Sequence, residues 1–151
     1  MKTLNKTIGV LGGSFDPAHK GHLEISKMAI KKLMLSKVFW IVTKKNPFKK
    51  KPYFSIDQRL KQAKKITKNV KKIKVLFLDK TVKSSRSINI INHLIIKKKP
   101  KIIYLIIGSD NLIKFHKWKS WKKIVKLTKL IVFSRRGYDN NSKKSIVAKY
   151  L

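Results

Sequence analysis

Gly12–Leu23 reads GGSFDPAHKGHL, and this stretch decides the fold because it joins a strand to a helix. Apolar Ile8–Leu11 precedes it and has strand character, while the apolar residues that follow it are spaced as one face of a helix. Such a junction aims backbone N–H groups and the positive end of the helix dipole at one point, which suits a phosphate. The two leading glycines permit close approach because they have no Cβ. His19 and His22 are three residues apart across the turn, so both imidazoles can face the same anion.

The composition limits the class of protein. A chain of 151 residues is long enough for one domain with a hydrophobic core. It contains no cysteine, which excludes disulfides, a thiolate nucleophile and a cysteine-held metal. No apolar run is long enough to cross a bilayer, and the N-terminus lacks a signal-peptide pattern. We therefore expect a cytoplasmic protein with no membrane partner.

The formal charge of +33 suggests nucleic-acid binding. The positive charge comes almost entirely from lysines spread along the chain, and lysine, isoleucine and asparagine dominate together, as an A/T-rich coding sequence would produce. Dedicated nucleic-acid binders more often concentrate arginine, which contacts bases and phosphates in bidentate fashion. We therefore expect solvated lysines, no specific nucleic-acid partner, and only adventitious binding at low salt.

Acidic residues are scarce, since Asp and Glu together number 6. A chain with so few carboxylates cannot build a carboxylate-rich metal cage. We expect no metal site made by the protein itself, and Mg²⁺, if used, is expected to arrive with a nucleotide.

Strand and helix patterns alternate along the chain. Apolar runs predict strands at Ile8–Leu11, Val38–Thr43, Ile73–Leu78, Ile102–Ile107 and Leu130–Phe133. Helical spacing predicts helices at Gly21–Leu33, from an N-cap at Ser55 to Lys68, and at Ser87–Ile96, Asn111–His116, Trp118–Leu127 and Lys143–Leu151, with a loop at Asp139–Ser142. The expected fold is one α/β domain over residues 1–151. It is a doubly wound, mostly parallel Rossmann-like sheet of about five strands flanked by helices, with ligands at the carboxyl ends of the strands.

The first motif resembles the HxGH signature of the nucleotidyltransferase superfamily, present here as His19-Lys20-Gly21-His22. The longer string GGSFDPAHKGHL looks most like the nicotinate-nucleotide adenylyltransferases, and the resemblance runs from Ile8 to the end of the chain. It implies adenylyl transfer from ATP to nicotinate mononucleotide, giving deamido-NAD and pyrophosphate, with Mg²⁺ accompanying ATP. It also implies that the two histidines are catalytic and contact ATP phosphates. The neighbouring residues implied to bind ATP are Gly12, Gly13, Ser14 and Phe15.

Three later motifs resemble the ATP side of that family. Asn46-Pro47-Phe48-Lys49 is similar to an Asn-Pro-x-Lys loop whose lysine approaches the phosphates, although Lys49 alone would suggest only a solvated loop. Gly108-Ser109-Asp110 is similar to a GxD motif whose acid lies near the ribose; the residues by themselves are equally compatible with Asp110 as a helix cap. Arg135 opens a segment similar to Arg-Pro-Gly-Tyr and is implied to lie at the nucleotide end of the cleft, with a surface arginine as the alternative.

Two further motifs resemble the mononucleotide side. Phe115 to Trp118 is similar to an FxxW stretch whose tryptophan packs near the pyridine ring. Trp118 and Trp121 are three residues apart and as an aromatic pair could simply be core, and Trp121 is expected to be a core residue. The family has a Tyr-Thr pair before a helix, where the threonine helps to hold the nicotinate carboxylate. Arg86 and Ser87 stand at those positions here, and the cation of Arg86 would favour a carboxylate over an amide. Thr43, at the end of the second strand, completes the expected mononucleotide set.

The family also carries a late Ser-rich segment of the ISSTxIR type that contacts ATP phosphates, and nothing similar follows Tyr138. We therefore expect a domain shortened at its C-terminus. Two alternative functions stay open. One is a related phosphopantetheine adenylyltransferase or cytidylyltransferase, which the FxxW stretch argues against; the other is a non-catalytic remnant that binds nucleotide or a polyanion through its lysines. Homo-oligomer formation and use of nicotinamide mononucleotide also stay open.

Overall fold

A parallel β-sheet forms the centre of the molecule. The computed structural model describes residues 6–44 and 50–151. The strands are β1 (Thr7–Gly13), β2 (Lys37–Val42), β3 (Ile73–Leu76), β4 (Ile102–Gly108) and β5 (Lys129–Phe133). Their order in the five-stranded sheet is β3-β2-β1-β4-β5, and each pairing is parallel. The predicted doubly wound α/β fold is confirmed.

Helices cover both faces of the sheet. They are α1 (Lys20–Leu33), α2 (Ile56–Thr67), α3 (Asp79–Val82), α4 (Ser87–Lys98), α5 (Ser109–Lys114), α6 (Trp121–Leu127), α7 (Asp139–Lys143) and α8 (Ile146–Tyr150), with a 3₁₀ turn at Phe115–Lys117. α1 and α2 pack with one core cluster, and α4, α5, α6 and α8 pack with the other. None of the described helices is long and apolar enough to span a bilayer.

The sheet is buried on both sides, as its apolar sequence predicts. Every residue of β2 from Val38 to Val42 is buried. Trp40 is fully buried, and its indole N–H donates to the hydroxyl of Ser26 at 2.8 Å. Ser26 in turn donates to the carbonyl of His22 at 2.8 Å, so these contacts tie the first helix to the centre of the sheet. Burial of the indole is therefore compatible with its polar N–H.

The strand order reverses at β1, because β2 and β3 lie on one side of it and β4 and β5 on the other. In doubly wound sheets the ligand-binding crevice opens outside the carboxyl ends of the strands at this reversal. The predicted motifs follow β1, β2, β4 and β5, and the topology therefore brings them to one edge of the sheet.

Three predictions about the C-terminal third are wrong. The predicted helix over 118–127 begins only at Trp121, because Trp118 has extended backbone after the 3₁₀ turn and Ser120 is left-handed, with φ of 56°. The predicted loop Asp139–Ser142 lies within α7, and the predicted helix Lys143–Leu151 is interrupted after α7 and restarts as α8, at an N-cap formed by Ser145. These elements have five to seven residues, so tertiary packing decides their bounds more than local propensity does.

The remaining bounds differ less. β3 ends at Leu76 rather than at Leu78. The short helix α3, which was not predicted, begins at Asp79. The predicted N-cap of α2 is confirmed, since Ser55 and Gln58 form a reciprocal capping box.

Candidate active site

His19 and His22 hold the start of α1 with their own side chains. His19 is the N-cap, and its Nδ1 accepts a hydrogen bond from the N–H of Gly21 at 3.0 Å. Nδ1 of His22 accepts from the N–H of His19 at 3.1 Å, which completes a capping box built from two imidazoles. Because Nδ1 accepts in both rings, the proton of each neutral ring lies on Nε2. The pair therefore has the donor character that phosphate oxygens require.

The two imidazoles rest on an aromatic support. Their ring centroids are 4.0 Å apart, and the ring of Phe15 lies 4.7 Å from that of His22. Phe15 has a left-handed φ of 49°, is 3% exposed, and stacks on Trp40 with centroids 5.0 Å apart. The side chain of Phe15 therefore supports His22 from within the core, and only the backbone of Phe15 remains for an ATP contact.

Gly21 leaves the space that the His19 ring occupies. A Cβ at Gly21 would lie 2.7 Å from Cε1 and 2.9 Å from Nδ1 of His19. Contacts that short require the imidazole to move and to give up its capping hydrogen bond. Position 21 of the HxGH motif is therefore glycine because the ring of His19 occupies the space that a Cβ would need.

Replacing Gly21 with alanine is expected to separate activity from stability. Alanine gains about 1 kcal/mol of helix propensity over glycine, which offsets about 1 kcal/mol for the lost cap. Displacement of His19 should nevertheless lower kcat by about tenfold or more. Steady-state kinetics and urea unfolding of the same sample measure both quantities, and unchanged kcat would show that the ring position of His19 does not matter.

Arg59 joins the β1–α1 loop to both ends of the β2–α2 loop at this edge, a role that the sequence did not reveal. The residue is 3% exposed. Its Nη1 donates to the carbonyls of Ser14 at 2.9 Å and Thr43 at 2.8 Å. Its Nη2 donates to the carbonyl of Lys44 at 3.1 Å, and its Nε to that of Phe54 at 3.1 Å. One buried guanidinium thereby fixes the segments that follow β1 and β2 and the one that precedes α2.

We call Arg59 and the four carbonyls that it binds the Arg59 clamp. Asp16, in the first motif, holds the same region. Its carboxylate accepts hydrogen bonds from the N–H groups of Tyr53 and of Phe54, the latter at 2.7 Å. Desolvation alone would raise the pKa of Asp16, but these two N–H groups and the charge of Arg59 together hold it below the ordinary value. Asp16 therefore remains a carboxylate and holds the segment before α2 against the β1–α1 turn.

Asp79, which follows β3 at the start of α3, also contacts this region. Its Oδ2 accepts from the N–H of Lys44 at 3.0 Å, while its Oδ1 is buried without a hydrogen-bond partner in residues 6–44 and 50–151. Burial raises the pKa of Asp79, and the Lys44 N–H and the charge of Arg59 offset only part of that effect.

One sequence signal could have indicated this clamp: Arg59 falls on the apolar face of α2, between Ile56 and Leu60, where a solvated arginine is not expected.

A cavity of about 720 Å³ opens where the strand order reverses. Four residues predicted for the mononucleotide line it, namely Thr43, Arg86, Ser87 and Trp118, and so do Gly12 and Gly13. The structure thus brings together residues from four separate stretches of sequence. The cations at its wall are Arg86, Lys117 and Lys119, and no acidic side chain is found among its described lining residues. Its shape and charge suit an anionic ligand with a flat ring.

Gly12 keeps part of this cavity open. Among the described residues, a Cβ there would meet a single heavy atom within 4 Å, the carbonyl oxygen of Ile41 at 4.0 Å. Contacts within the protein therefore do not require glycine at position 12. Close approach of a ligand to the backbone would require it. The first turn of α4 faces the same space, and no side chain caps that helix.

Asp110 and Arg135 lie close together at the ends of β4 and β5. A Cβ at Gly108 would be 2.5 Å from Oδ1 of Asp110 and 3.2 Å from Cγ of Arg135. The interpretation of Asp110 as a helix cap is wrong, because the N-cap of α5 is Gly108, with no side-chain hydrogen bond. Oδ1 of Asp110 is instead buried with no hydrogen-bond partner among the residues that the structure describes. Such an oxygen is available to a ligand hydroxyl.

The Arg135 backbone is held on two sides. Its N–H donates to the hydroxyl of Ser109 at 2.8 Å and to Oδ1 of Asp139 at 3.1 Å. Asp139 also accepts from the hydroxyl of Ser134, and the hydroxyls of Ser134 and Ser109 together with the Arg135 N–H lower the pKa of its carboxyl. The segment after β5 is therefore fixed to the start of α5, although no sequence motif pointed to Asp139.

The predicted residues form two groups rather than one. Within the described part of the chain, the cavity lining does not include His19, His22, Gly108, Asp110 or Arg135, which lie at the strand ends and helix starts of the same edge of the sheet. Trp118 packs at 4.6 Å from the ring of Phe115 and is half-buried, and Trp121 is half-buried against Tyr150 rather than fully in the core. Lys49 lies outside the described residues.

Residues 10–150 match the family described as cytidylyltransferase-like, and the chain with this sheet topology and histidine-capped helix is therefore a nucleotidyltransferase. A probable nicotinate-nucleotide adenylyltransferase of Pelagibacter ubique is 52% identical over 139 residues, which cover 92% of this chain and 77% of the relative. One of Nitratiruptor sp. is 39% identical over 134 residues, covering 87% of this chain and 75% of the relative. This chain therefore belongs to the nicotinate-nucleotide adenylyltransferase family within the cytidylyltransferase-like proteins.

The solved structures show the same fold at low sequence identity. The Plasmodium falciparum nicotinic acid mononucleotide adenylyltransferase complexed with NaAD superposes with a TM-score of 0.76 at 18% identity, covering 93% of this chain and 72% of that one. The same protein complexed with APC superposes with a TM-score of 0.74.

Proposed function

We propose that this chain transfers the adenylyl group of ATP to nicotinate mononucleotide, giving deamido-NAD and pyrophosphate. One observation carries the proposal: the histidine-capped start of α1 and the cationic cavity lie at the same edge of the sheet. Family membership agrees with this reaction. A phosphate-binding turn beside an acceptor pocket without acidic lining is the arrangement that joining two phosphorylated nucleotides requires.

The reaction joins the two substrates directly. A phosphate oxygen of the mononucleotide forms a bond to the α-phosphorus of ATP, while the bond from that phosphorus to the bridging oxygen of the β-phosphate breaks. The electron pair leaves with pyrophosphate. The chain has no cysteine and no activated serine among the predicted site residues, and we propose no covalent enzyme intermediate. Catalysis is then positioning together with stabilisation of the charge that develops.

The ATP side is proposed to use the turn after β1. The backbone of Gly12, Gly13, Ser14 and Phe15 and the start of α1 hold phosphate. His19 and His22 donate from Nε2 to the α- and β-phosphates as negative charge builds on the leaving group. The unpartnered Oδ1 of Asp110 accepts from a ribose hydroxyl, and Gly108 and Arg135 lie beside it. Lys49 is proposed to approach the triphosphate.

The mononucleotide side is proposed to use the cavity. Trp118 packs against the pyridine ring. Thr43 lines the part of the cavity wall that lies next to the turn after β1. Ser87, the first turn of α4 and the cation of Arg86 bind the nicotinate carboxylate. A cavity with this charge favours the acid over the amide.

The donor set does not fit a magnesium ion held by the protein. No group of three His, Cys, Asp or Glu side chains that could hold a metal occurs in residues 6–44 and 50–151. We propose that Mg²⁺ enters as part of MgATP, held by the phosphate oxygens, and no protein step depends on it here. The reaction is proposed to take place in the cytoplasm.

Dinucleotide formation tests the proposed reaction. The chain is incubated with MgATP and nicotinate mononucleotide, and deamido-NAD is measured by chromatography. Parallel samples contain nicotinamide mononucleotide, 4′-phosphopantetheine, or CTP in place of ATP. Product from the nicotinate substrate supports the proposal, and product only from phosphopantetheine or CTP contradicts it. If no product forms and ATP binding disappears as salt rises, the chain is a polyanion-binding remnant.

Replacing Arg86 with methionine tests substrate selection. A hydrogen bond to a charged group contributes about 1.5–3 kcal/mol, so KM for nicotinate mononucleotide should rise about 10- to 100-fold. KM for nicotinamide mononucleotide should stay within about twofold, because the amide carries no charge for the guanidinium to bind. Arg86→Lys is the matched control that keeps the cation. An equal rise in KM for both substrates would remove Arg86 from carboxylate recognition.

A further inference from the structure

The backbone before α4 decides how one wall of the cavity is arranged. Ser85, Arg86 and Ser87 line this wall, and α4 begins at Ser87. Arg86 is the N-cap of α4, but its side chain makes no capping hydrogen bond and is exposed. A long, flexible arginine side chain binds a carboxylate well only when its backbone is fixed, because every freedom that remains has to be lost on binding. The residue that fixes this backbone is therefore of interest.

The hydroxyl of Ser84 holds the stretch from outside the cavity. Its Oγ accepts hydrogen bonds from the N–H of Arg86 at 3.0 Å and from Nδ2 of Asn89 at 2.9 Å. Asn89 lies in the first turn of α4, so one oxygen joins the residue before the helix to the helix itself. Ser84 is half-buried and is not among the described residues that line the cavity. Any effect of its hydroxyl on a bound ligand therefore acts through the residues that it holds.

Ser84 is itself connected to the Arg59 clamp. Its N–H donates to the carbonyl of Asp79 at 3.1 Å, across a turn in which Lys83 has a left-handed φ of 59°. The carboxylate of Asp79 accepts from the N–H of Lys44 at 3.0 Å, and the carbonyl of Lys44 accepts from Arg59 at 3.1 Å. A chain of hydrogen bonds thus extends from the loop after β2 to the start of α4, and Ser84 is its last member before Arg86.

We propose that Ser84 is a positioning residue for the mononucleotide, whose hydroxyl fixes Arg86 so that its guanidinium faces the nicotinate carboxylate. This inference rests on the proposed function, because it takes the cavity as the mononucleotide site. Without the hydroxyl, the Arg86 N–H and the Asn89 amide lose their acceptor, and the backbone at Arg86 is free to rotate. The hydroxyl takes no part in bond making at phosphorus, so its loss should weaken binding of the mononucleotide and leave kcat nearly unchanged.

Calorimetric titration with nicotinate mononucleotide tests this inference without requiring turnover. Ser84→Ala should raise Kd about 3- to 10-fold, which is part of the loss expected on removing the Arg86 cation. Ser84→Thr keeps the hydroxyl and should stay within about twofold of the unaltered chain. Ser145→Ala is the matched control, since that hydroxyl accepts a backbone N–H at 3.1 Å but lies outside the cavity lining of the described residues, and its Kd should also stay within about twofold. Kd for MgATP should not change in any of these variants.

A double-mutant cycle shows whether Ser84 acts through Arg86. In the Arg86→Met background, Ser84→Ala should raise Kd for nicotinate mononucleotide by less than about twofold. An undiminished effect in that background would overturn the inference, because Ser84 would then act without the guanidinium. Circular dichroism and thermal unfolding establish that each variant is folded.

Failure of the inference is distinguishable from failure of the proposed function. If the unaltered chain binds nicotinate mononucleotide and Ser84→Ala binds it equally well, the inference is overturned and the proposed function stands. An equal loss of affinity in Ser145→Ala would also overturn it, since the effect would then follow from stability alone. If the unaltered chain does not bind nicotinate mononucleotide, the proposed function fails and the inference fails with it.

Discussion

His22→Ala is expected to lower kcat by about 10²–10³ while the protein remains folded. The imidazole is proposed to donate to the pyrophosphate leaving group, whose charge develops only as the bond to the α-phosphorus breaks. Such a donor acts on the transition state more than on bound ATP, so KM for ATP should change much less than kcat. Initial rates of deamido-NAD formation at saturating substrates measure the effect.

The loss of a helix cap has to be separated from the loss of a catalytic donor. His22→Ala also removes the acceptor for the His19 N–H, which costs about 1 kcal/mol of stability. Ser145→Ala removes a comparable N-cap from α8, where the hydroxyl accepts from the N–H of Ala148 at 3.1 Å. That control should lose similar stability and keep most of its kcat. Near-normal turnover by His22→Ala would refute the catalytic assignment.

The parts of the fold that depend on local patterning are predicted well from the sequence. The strand and helix around GGSFDPAHKGHL are confirmed, because apolar spacing and a glycine-rich turn act over a few residues. The Ser55 capping box is likewise local. In contrast, the break at Ser120 and the division of the C-terminal stretch into α7 and α8 arise from packing across the molecule.

The site shows the same division between local and long-range information. Arg86 and Ser87 come from one motif, Trp118 from another and Thr43 from the end of the second strand, and the parallel topology places all four in one cavity. A resemblance can indicate such residues one by one, but only the strand order shows that they meet. The imidazole capping box also needed coordinates, because its hydrogen bonds depend on ring positions rather than on spacing alone.

Arg59→Met is expected to destabilise the protein by about 3–5 kcal/mol, the largest stability effect that we predict for a single side chain. Methionine fills a similar volume but donates no hydrogen bond. The carbonyls of Ser14, Thr43, Lys44 and Phe54 would lose their partner at once, in a region that excludes most solvent. Urea unfolding measures the change. Arg136→Met, at an exposed arginine, should alter stability by less than about 0.5 kcal/mol.

Arg59→Lys tests whether the clamp serves the site as well as the fold. An ammonium keeps the charge but cannot span four carbonyls from two loops, so a folded variant with looser loops is expected. Because Ser14 lies in the phosphate-binding turn and Thr43 lines the cavity, kcat/KM should fall by about tenfold or more for both substrates. Unchanged kinetics in a destabilised variant would limit Arg59 to a structural role.

A double-mutant cycle between Asp16 and Arg59 tests the clamp itself. Both side chains bind Phe54, since Asp16 accepts from its N–H and Arg59 donates to its carbonyl. If the two act through this shared residue, Asp16→Asn should cost less in the Arg59→Lys background than in the unaltered chain, with a coupling energy of about 0.5–3 kcal/mol. Additive costs would mean that each residue acts alone. Coupling would instead show that the aspartate of the first motif and an arginine more than forty positions later hold the two sides of the proposed ATP site in one geometry.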